Sequence, residues 1–395
     1  MIEQIIKLVG FTAAVWSSSP VEHFTQLDIH VVEGNLQQYS MNKDGWFAYS
    51  VPAATGTTSM CCFNRGKQSV CDLNKKQHGF GTFSNSPATD NIHVFVEVAD
   101  GHVSRMIPVG DHCEVEAKGT TVDWLTEVKN QESIEWLQDQ VVTSNKGDEA
   151  GGLYVLSLHA GKQATKALYD MAAQNAGEYS AQSVFWLGQR QHDGFAYLEQ
   201  LYQNLPVGEV RRKLNFALSQ NHNQAAVDLL KQIAQHDRDD EQQIDAIFWL
   251  SQADNVADLA DFLIDLMSQS NNEEIKEKVI FSLSQINNDE ANQELAKLVN
   301  DHKDAKVREK ALFWLAQNSP DQAHKAAIEL LRTGQNESEQ ENAVFVLSQL
   351  PSAQSAAALF DIVKGNYSRD VKKKALFWLS QSEDKSTLKQ LEDLL

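Results

Sequence analysis

The chain has 395 residues, of which 42% are hydrophobic, and its formal net charge is −20. That hydrophobic content excludes a wholly disordered chain, and at roughly 150 residues per domain the length predicts two or three domains or one repeat array. The negative charge runs through the whole chain and repels phosphate backbones, and no apolar run reaches the about 18 residues of a membrane span. We therefore expect a monomer that binds no nucleic acid, does not insert into a membrane and attracts basic partners.

Residues 1–19 are interpreted as a signal-like or flexible N-terminus. Lys7 precedes a short apolar stretch from Leu8 to Trp16, as in a secretory signal. Glu3 and the shortness of that stretch are unusual for a signal, so an ordinary first helix or strand is the alternative. The first interpretation predicts export to a bacterial periplasm, and the second leaves the protein in the cytoplasm.

Residues 20–125 are predicted to form a small β-rich domain. Residues 46–51 have strand composition, and polar and apolar residues alternate between Ile92 and Val98. Asp100-Gly101 is a two-residue hairpin signal, and residues 103–109 supply the return strand.

All four cysteines lie in this domain, at Cys61, Cys62, Cys71 and Cys113. An even count in one domain fits two disulfides. Because a bridge between the adjacent Cys61 and Cys62 is strained, two bridges joining this pair to Cys71 and Cys113 are favoured. Free thiols and a metal site stay open as alternatives, although the spacing is not the CxxC of zinc sites. Disulfides need an oxidising compartment and therefore favour export.

Residues 126–395 are predicted to be helical and repetitive. A segment of the form Phe-X-Leu-small-Gln recurs seven times, at steps of 31, 32, 33, 32, 32 and 32 residues. A degenerate eighth copy begins at Tyr154, 31 residues before the first complete one. The period predicts a solenoid of about eight helix pairs. The Phe and Gln residues are Phe185, Gln189, Phe216, Gln220, Phe248, Gln252, Phe281, Gln285, Phe313, Gln317, Phe345, Gln349, Phe377 and Gln381.

Each unit is predicted to be a pair of helices, with the Phe on the second helix. In five units an N-cap residue precedes the Phe by nine positions; these residues are Asp239, Asn272, Asp304, Asn336 and Ser368. Asn336 with Glu339, and Asp239 with Gln242, have the spacing of capping boxes. A helix at about 131–141 opens the array, and a terminal helix at 387–395 closes it.

The repeat resembles the HEAT family, specifically the bacterial PBS-lyase HEAT-like repeats. In that pattern the second helix carries Val followed by a basic residue, then small residues, then Leu followed by a small residue, and an Asp comes after the helix. Val371-Lys372, Ala375, Leu379-Ser380 and Asp384 match it. The resemblance covers about residues 131–395 and implies a mainly α fold, an α-solenoid of about eight HEAT-like helix pairs preceded by the small β-rich domain. It specifies no single function, because such arrays serve many tasks.

A helical projection at about 100° per residue separates the side chains of the second helix. With Val371 as origin, Ala375, Trp378 and Leu379 fall on the face that packs on the partner helix, so Trp378 is predicted to lie in the core. Large and smaller residues alternate in the Trp column, as expected if a Trp needs a smaller residue in the next unit. The column is Val155, Trp186, Ala217, Trp249, Ser282, Trp314, Val346 and Trp378.

Phe377 and Gln381 fall away from that face. The resemblance implies that second helices line the concave surface, so the Phe and Gln rows are candidates for a groove that binds a protein or peptide. The alternative is structural: each Phe wedges between neighbouring second helices, and each Gln bonds along the stack.

The sequence carries no signature of catalysis. The HEAT-like deoxyhypusine hydroxylases bind iron through His-Glu dipeptides, and this chain has 12 His but no His-Glu dipeptide. Phosphate-loop and nucleophile-elbow motifs are absent as well. We therefore predict a non-enzymatic interaction scaffold with no cofactor, no catalytic residues and no metal. A HEAT-like oxidoreductase or lyase is one alternative, and recognition by the β domain with the solenoid as a spacer is the other.

Overall fold

The computed structural model describes most of the chain outside its N-terminus. The signal-like segment predicted at residues 1–19 lies outside the described residues, and the predicted domain boundaries after residues 19 and 125 stay predictions. The chain forms two compact units, residues 1–187 and 188–395. The described residues are 24, 26–36, 39, 44–64, 67–68, 70–75, 80–81, 86–143, 151–191, 193–253, 256–334 and 336–393.

The β-rich part of the first unit has ten described strands in three sheets. The largest sheet has the order β1-β10-β2-β7-β8, with β10 parallel to both β1 and β2 and the other pairs antiparallel. The small sheets have the orders β4-β3-β6 and β5-β9. The strands are β1 Asp28–Val32, β2 Gly45–Pro52, β3 Cys61–Asn64, β4 Lys67–Gln68, β5 Cys71–Asp72, β6 Phe80–Gly81, β7 Asn91–Ala99, β8 His102–Gly110, β9 Val115–Glu116 and β10 Thr121–Leu125.

The predicted hairpin is confirmed as the connection between β7 and β8. Asp100 and Gly101 have φ angles of 55° and 74°, the left-handed values that a two-residue hairpin turn requires at both central positions. Ala99 pairs with His102 directly across this turn.

Two disulfides lie in the buried cluster on one face of the large sheet. The prediction of disulfides is therefore confirmed. Cys61 bonds Cys113 and Cys62 bonds Cys71, with Cα–Cα distances of 5.3 and 5.1 Å. All four cysteines are buried in a cluster that includes Phe95 of the sheet. The bridges therefore form part of the core of this domain and anchor the segments around β3 and β5 to it.

A helix covers the other face of the sheet. The ring of Phe47 lies 6.1 Å from that of Trp136, and Ser133 Oγ donates to the buried Tyr49 hydroxyl over 2.9 Å. Burial raises the pKa of Tyr49 well above its ordinary value of 10.0. The helices of this unit are α1 Asn130–Thr143, α2 Gly152–Leu158, α3 Lys162–Ala173 and α4 Glu178–Gln189, whose last two residues begin the second unit.

The second unit is a row of helix pairs. In each pair the first helix packs on the second, and each second helix also packs on the second helix of the next pair. The pairs are α5 Phe195–Asn204 with α6 Glu209–Ser219, α7 Gln224–His236 with α8 Asp240–Gln252, α9 Leu259–Gln269 with α10 Glu273–Ile286, α11 Asp289–Asp301 with α12 Ala305–Asn318, α13 Pro320–Thr333 with α14 Glu337–Gln349, and α15 Ser352–Lys364 with α16 Arg369–Ser380; α17 Lys385–Glu392 closes the row.

All five predicted N-cap residues cap their helices. In each case the side chain accepts a hydrogen bond from a backbone N–H in the first turn. The capping boxes are only half right: Asn336 accepts from the N–H of Glu339, but the Glu339 carboxylate pairs with Arg308 on α12. Gln242 likewise donates to the carbonyl of Arg211. These two side chains join neighbouring units, a role that the spacing within one helix does not show.

Among the described helices, none combines the length and the apolar character needed to cross a bilayer.

Candidate functional site

The predicted Phe row lies along the second helices and is partly open to solvent. Phe313 is 42% exposed and Phe377 is 54% exposed; the remaining five Phe residues are half-buried. On the same α16 helix, Val371 and Leu379 are buried. The prediction that Phe points away from the partner helix is confirmed for Phe377.

Ring contacts connect the Phe row from one unit to the next. Phe216 lies 4.6 Å from Trp249, and Phe248 lies 6.2 Å from Phe281 with the two rings stacked. Phe281 in turn lies 5.2 Å from Trp314. The structural interpretation, in which Phe contacts neighbouring second helices, is therefore correct for these residues, and it leaves their outer surfaces accessible.

The Trp column is less buried than predicted. Trp186, Trp249, Trp314 and Trp378 are all half-buried, whereas the smaller residues of the column are buried as expected. Each Trp ring lies against the aromatic ring of the preceding unit: Tyr154–Trp186, Phe216–Trp249, Phe281–Trp314 and Phe345–Trp378 are 4.9, 4.6, 5.2 and 5.6 Å apart. The Trp residues thus belong to the aromatic surface as well as to the packing, because the Phe of the preceding unit occupies the space beside them.

In five repeats the Gln side chain hydrogen-bonds within the last turn of its own helix. Ser Oγ donates to the carbonyl of the Phe three residues earlier in five of the Phe units, and the following Gln Nε2 donates to that Ser Oγ. The Gln–Ser distances run from 3.0 to 3.4 Å. In these five repeats the Gln therefore bonds within its own helix, where a bond along the stack was predicted. An amide has two N–H donors and a carbonyl acceptor, so this bond leaves capacity for a ligand. The residues are Gln220, Gln252, Gln285, Gln349 and Gln381.

A row of charged residues runs beside the Phe row, and sequence reasoning missed it. Residues four before the Phe in one unit lie opposite residues three before the Phe in the next. Glu277 pairs with Lys310 in this way, and Glu341 pairs with Lys374 over 3.0 Å. We call each such position a rung. The signal was present in the sequence at the same 32-residue period, but it becomes visible only once the units are stacked.

An open cavity of about 480 Å³ lies where the charged row meets the Phe row. Side chains from α8, α10 and α12 line it: Ile244, Glu274, Glu277, Lys278, Phe281, Lys310 and Trp314. Lys278 Nζ lies 5.3 Å from the ring centre of Phe248 and 5.5 Å from that of Phe281. Burial raises the pKa of nearby Asp245, and Lys278 and Arg212 oppose that rise.

The β domain contains a hydrogen-bonded Ser–His–Asp chain. Ser50 Oγ lies 2.6 Å from His93 Nδ1, and His93 Nε2 lies 3.1 Å from Asp111 Oδ1. Hydrogen bonds from His93, Thr89 and the backbone hold the pKa of Asp111 well below its ordinary value. His93 is 3% exposed, and the edge of Phe24 packs on its ring at 5.1 Å. These hydrogen bonds tie the start of β7 to β2 and to the residue that follows β8.

A second cavity of about 160 Å³ lies at the amino-terminal ends of the neighbouring strands β2 and β10 of the large sheet. The buried Asp123 carboxylate lines it and accepts a hydrogen bond from the Tyr39 hydroxyl. Its other oxygen lies 3.0 Å from His30 Nδ1. Among the described residues, no group of three or more His, Cys, Asp or Glu side chains could hold a metal ion.

Paired helices at a 32-residue period give the chain a HEAT-like repeat fold. Among solved structures, human deoxyhypusine hydroxylase is similar at 16% identity over 64% of this chain and 96% of that one, with a TM-score of 0.27. The CpcE–CpcF complex of phycocyanin lyase from a Nostoc species is 18% identical over 57% and 92%, with a TM-score of 0.26. The HEAT-like repeats protein of Thermococcus onnurineus is 14% identical over 66% and 97%, with a TM-score of 0.28.

These neighbours are HEAT-like repeat proteins, and two of them are enzymes by name. At this level of identity and TM-score they carry no argument about activity. No family model matches the chain, and no curated protein matches it.

Proposed function

We propose that this protein is a non-enzymatic scaffold that binds a protein or peptide on the face formed by the Phe and Gln rows. The observation that carries the proposal is the exposure of Phe313 and Phe377 within one aromatic row. Exposed apolar patches that are rimmed by polar groups are typical of interaction sites. Here the rims are the Gln row and the charged row.

The repeated geometry supports a partner that contacts several units at once. The Phe and Gln positions recur in all seven repeats along the second helices, so these repeats offer the same kinds of aromatic and amide contact. Aromatic faces supply apolar contact area, and carboxamides both donate to and accept from a peptide backbone. We propose that this face is the concave one, as the resemblance to HEAT arrays suggests for second helices.

The net charge of the protein suggests the charge of its partner, and its disulfides suggest the compartment. A net charge of −20 attracts a partner of net positive charge over long distances. The two disulfides favour an oxidising compartment, and we propose an exported, periplasmic protein.

The test replaces the aromatic row without disturbing the buried faces. Phe248→Ala, Phe281→Ala and Phe313→Ala are combined, and partners are recovered from the host by crosslinking to wild type and variant. We expect the crosslinked partner of the wild type to be lost from the triple variant, with an unchanged helical circular dichroism signal.

A matched variant controls for general surface effects. Gln232→Ala, Asp265→Ala and Gln293→Ala lie at exposed positions of first helices in three units. This variant should keep the partner. Retention of the partner by the Phe variant would remove the proposed face and favour recognition by the β domain.

A further inference from the structure

The charged row contains a break at Lys278. In the two rungs that follow the pattern fully, a Glu in one unit pairs with a Lys in the next, Glu277 with Lys310 and Glu341 with Lys374. At the rung before them, the position of the Glu is occupied by Ile244. Within the described part of the chain, Lys278 takes part in no salt bridge.

Lys278 lies against aromatic and apolar side chains. Its Nζ lies between the rings of Phe248 and Phe281, and Ile244 lines the same cavity. Asp245 attracts it electrostatically without a salt bridge between them. An ammonium beside apolar groups loses part of its hydration, so a carboxylate from outside would gain more there than on an open surface.

Among the described residues, the other charges that line the cavity form no salt bridge with Lys278. Glu277 is paired with Lys310. Glu274 lies in the first turn of α10, where its charge interacts favourably with the positive end of the helix. Lys278 is the charge for which the cavity provides no partner on the adjacent rung.

We propose that Lys278 binds an acidic side chain of an extended partner segment, whose neighbouring apolar residues lie against Phe281 and Trp314. This inference rests on the proposed function and names the chemistry of the bound segment. The cavity crosses three second helices, α8, α10 and α12. At about 8–10 Å between helix axes, that width corresponds to roughly five or six residues of extended chain at about 3.3 Å each.

The experiment introduces the missing carboxylate of this rung by a substitution in the protein. Ile244→Glu places a carboxylate opposite Lys278 in the register of the Glu277–Lys310 pair and should compete with the ligand. A phage-displayed library of random 12-residue peptides is selected on the wild-type protein and counter-selected on I244E. We expect the retained peptides to carry Asp or Glu beside apolar residues. Synthetic copies should bind I244E and Lys278→Gln at least about tenfold more weakly than wild type.

Two controls separate a charge effect from a loss of fold. Asn342→Lys completes another broken rung, opposite Glu309 and outside the cavity lining, and should leave peptide affinity unchanged. Exchanging the peptide's acid for its amide should weaken binding to wild type about tenfold but change little in K278Q, since the two substitutions remove the same interaction.

The outcomes separate this inference from the proposed function. Selected peptides that carry no Asp or Glu, or none that distinguish wild type from I244E, would overturn the role of Lys278. If such peptides still lose affinity on Phe281→Ala, the aromatic face survives as a binding site. If they bind F281A as well as wild type, both proposals fail.

Discussion

Gly188 on α4 lies so close to the backbone of Ala217 on α6 that a residue with a Cβ atom would not fit there without a shift. A Cβ built on Gly188 would lie 2.6 Å from the Ala217 carbonyl oxygen and 2.8 Å from its Cα. Five of the other Phe units carry Ser at this position of the repeat, and one carries Ala316. The repeat therefore departs from its own pattern where two helices of the array come into backbone contact.

We expect Gly188→Ser to destabilise the protein although it restores the repeat pattern. Its side chain would meet backbone atoms that cannot move aside cheaply, and such overpacking costs about 1–3 kcal/mol. Urea denaturation followed by circular dichroism at 222 nm measures the change. Ala316→Ser makes the same kind of substitution in another unit and should stay within about 0.5 kcal/mol of wild type. Equal stability of the two variants would contradict the close contact.

The buried pair of Arg308 and Glu339 should be costly to break from one side. Both side chains are nearly inaccessible, and the Arg308 guanidinium also donates to the His302 carbonyl. Arg308→Met leaves a buried carboxylate without its guanidinium, which costs about 3–5 kcal/mol. Arg308→Met combined with Glu339→Leu removes both charges and should be less destabilising than the single variant. If the double variant were less stable than R308M, the unpaired Glu339 carboxylate would not be the cause of the loss in stability.

Tyr202 should make the stability of the compact unit formed by residues 188–395 fall at high pH. Burial and the Asp237 carboxylate, which accepts its hydroxyl hydrogen over 2.8 Å, raise the pKa of Tyr202 to about 12. The folded state thus holds its proton more tightly than the unfolded state. That contribution is complete below about pH 10 and is lost as the pH rises towards 12.

Hydrogen exchange of α6 and α7 across pH 9–12 would measure this effect. Tyr202→Phe keeps the ring stacked on Arg211 and should flatten the alkaline loss of protection. Tyr367→Phe, which lies away from Asp237, should change nothing. An identical pH profile for Y202F and wild type would rule Tyr202 out as the cause.

The two disulfides should contribute unequally to the β domain. Cys61–Cys113 closes a loop of 52 residues and Cys62–Cys71 a loop of 9. Loop-closure entropy assigns about 4 and about 2.5 kcal/mol to loops of these lengths. The Cys61→Ala/Cys113→Ala variant should thus lose more protection from proteolysis in the β domain than Cys62→Ala/Cys71→Ala. Four titratable thiols in the native, unreduced protein would show that neither bridge forms.

The Ser50–His93–Asp111 chain should be structural. A fluorophosphonate probe should leave Ser50 unmodified, because the His93 imidazole beside it is buried against Phe24. Asp111→Asn should instead lower stability by about 1–3 kcal/mol through its hydrogen bonds to the β7 start. Stoichiometric labelling at Ser50 that is lost in D111N would establish a hydrolase site and overturn the non-enzymatic proposal.

Sequence periodicity predicted the helices because each unit repeats its caps and its buried face independently. Asp304 caps α12 and Ala375 is buried in α16 as the pattern requires. The half-exposed Trp residues were not predicted, since a projection of one helix omits the ring that the preceding unit places beside it. The position of Ile244 opposite Lys278 also cannot be predicted from one repeat, because the two residues are 34 positions apart and lie on neighbouring second helices.

The β domain shows the same limit more strongly. Polar and apolar alternation along the chain identified β7, the Asp100-Gly101 turn signal identified β8, and a local strain argument disfavoured a bridge between Cys61 and Cys62. Which of these two cysteines bonds Cys113 could not be deduced, because that choice depends on how β3, in its own small sheet, packs against the segment that carries Cys113. Ser50 and His93 meet only because β2 and β7 pair in one particular register.

The alternation of Trp and smaller residues sets how the array can be shortened or lengthened. Each indole occupies the space beside the aromatic ring of the unit before it, and the following unit offers a smaller side chain in the same column. Removing one 32-residue unit would bring two Trp units or two small units together and leave an overlap or a void at the junction. Removing two units preserves the alternation, so the smallest exchangeable module of this protein is a pair of repeats.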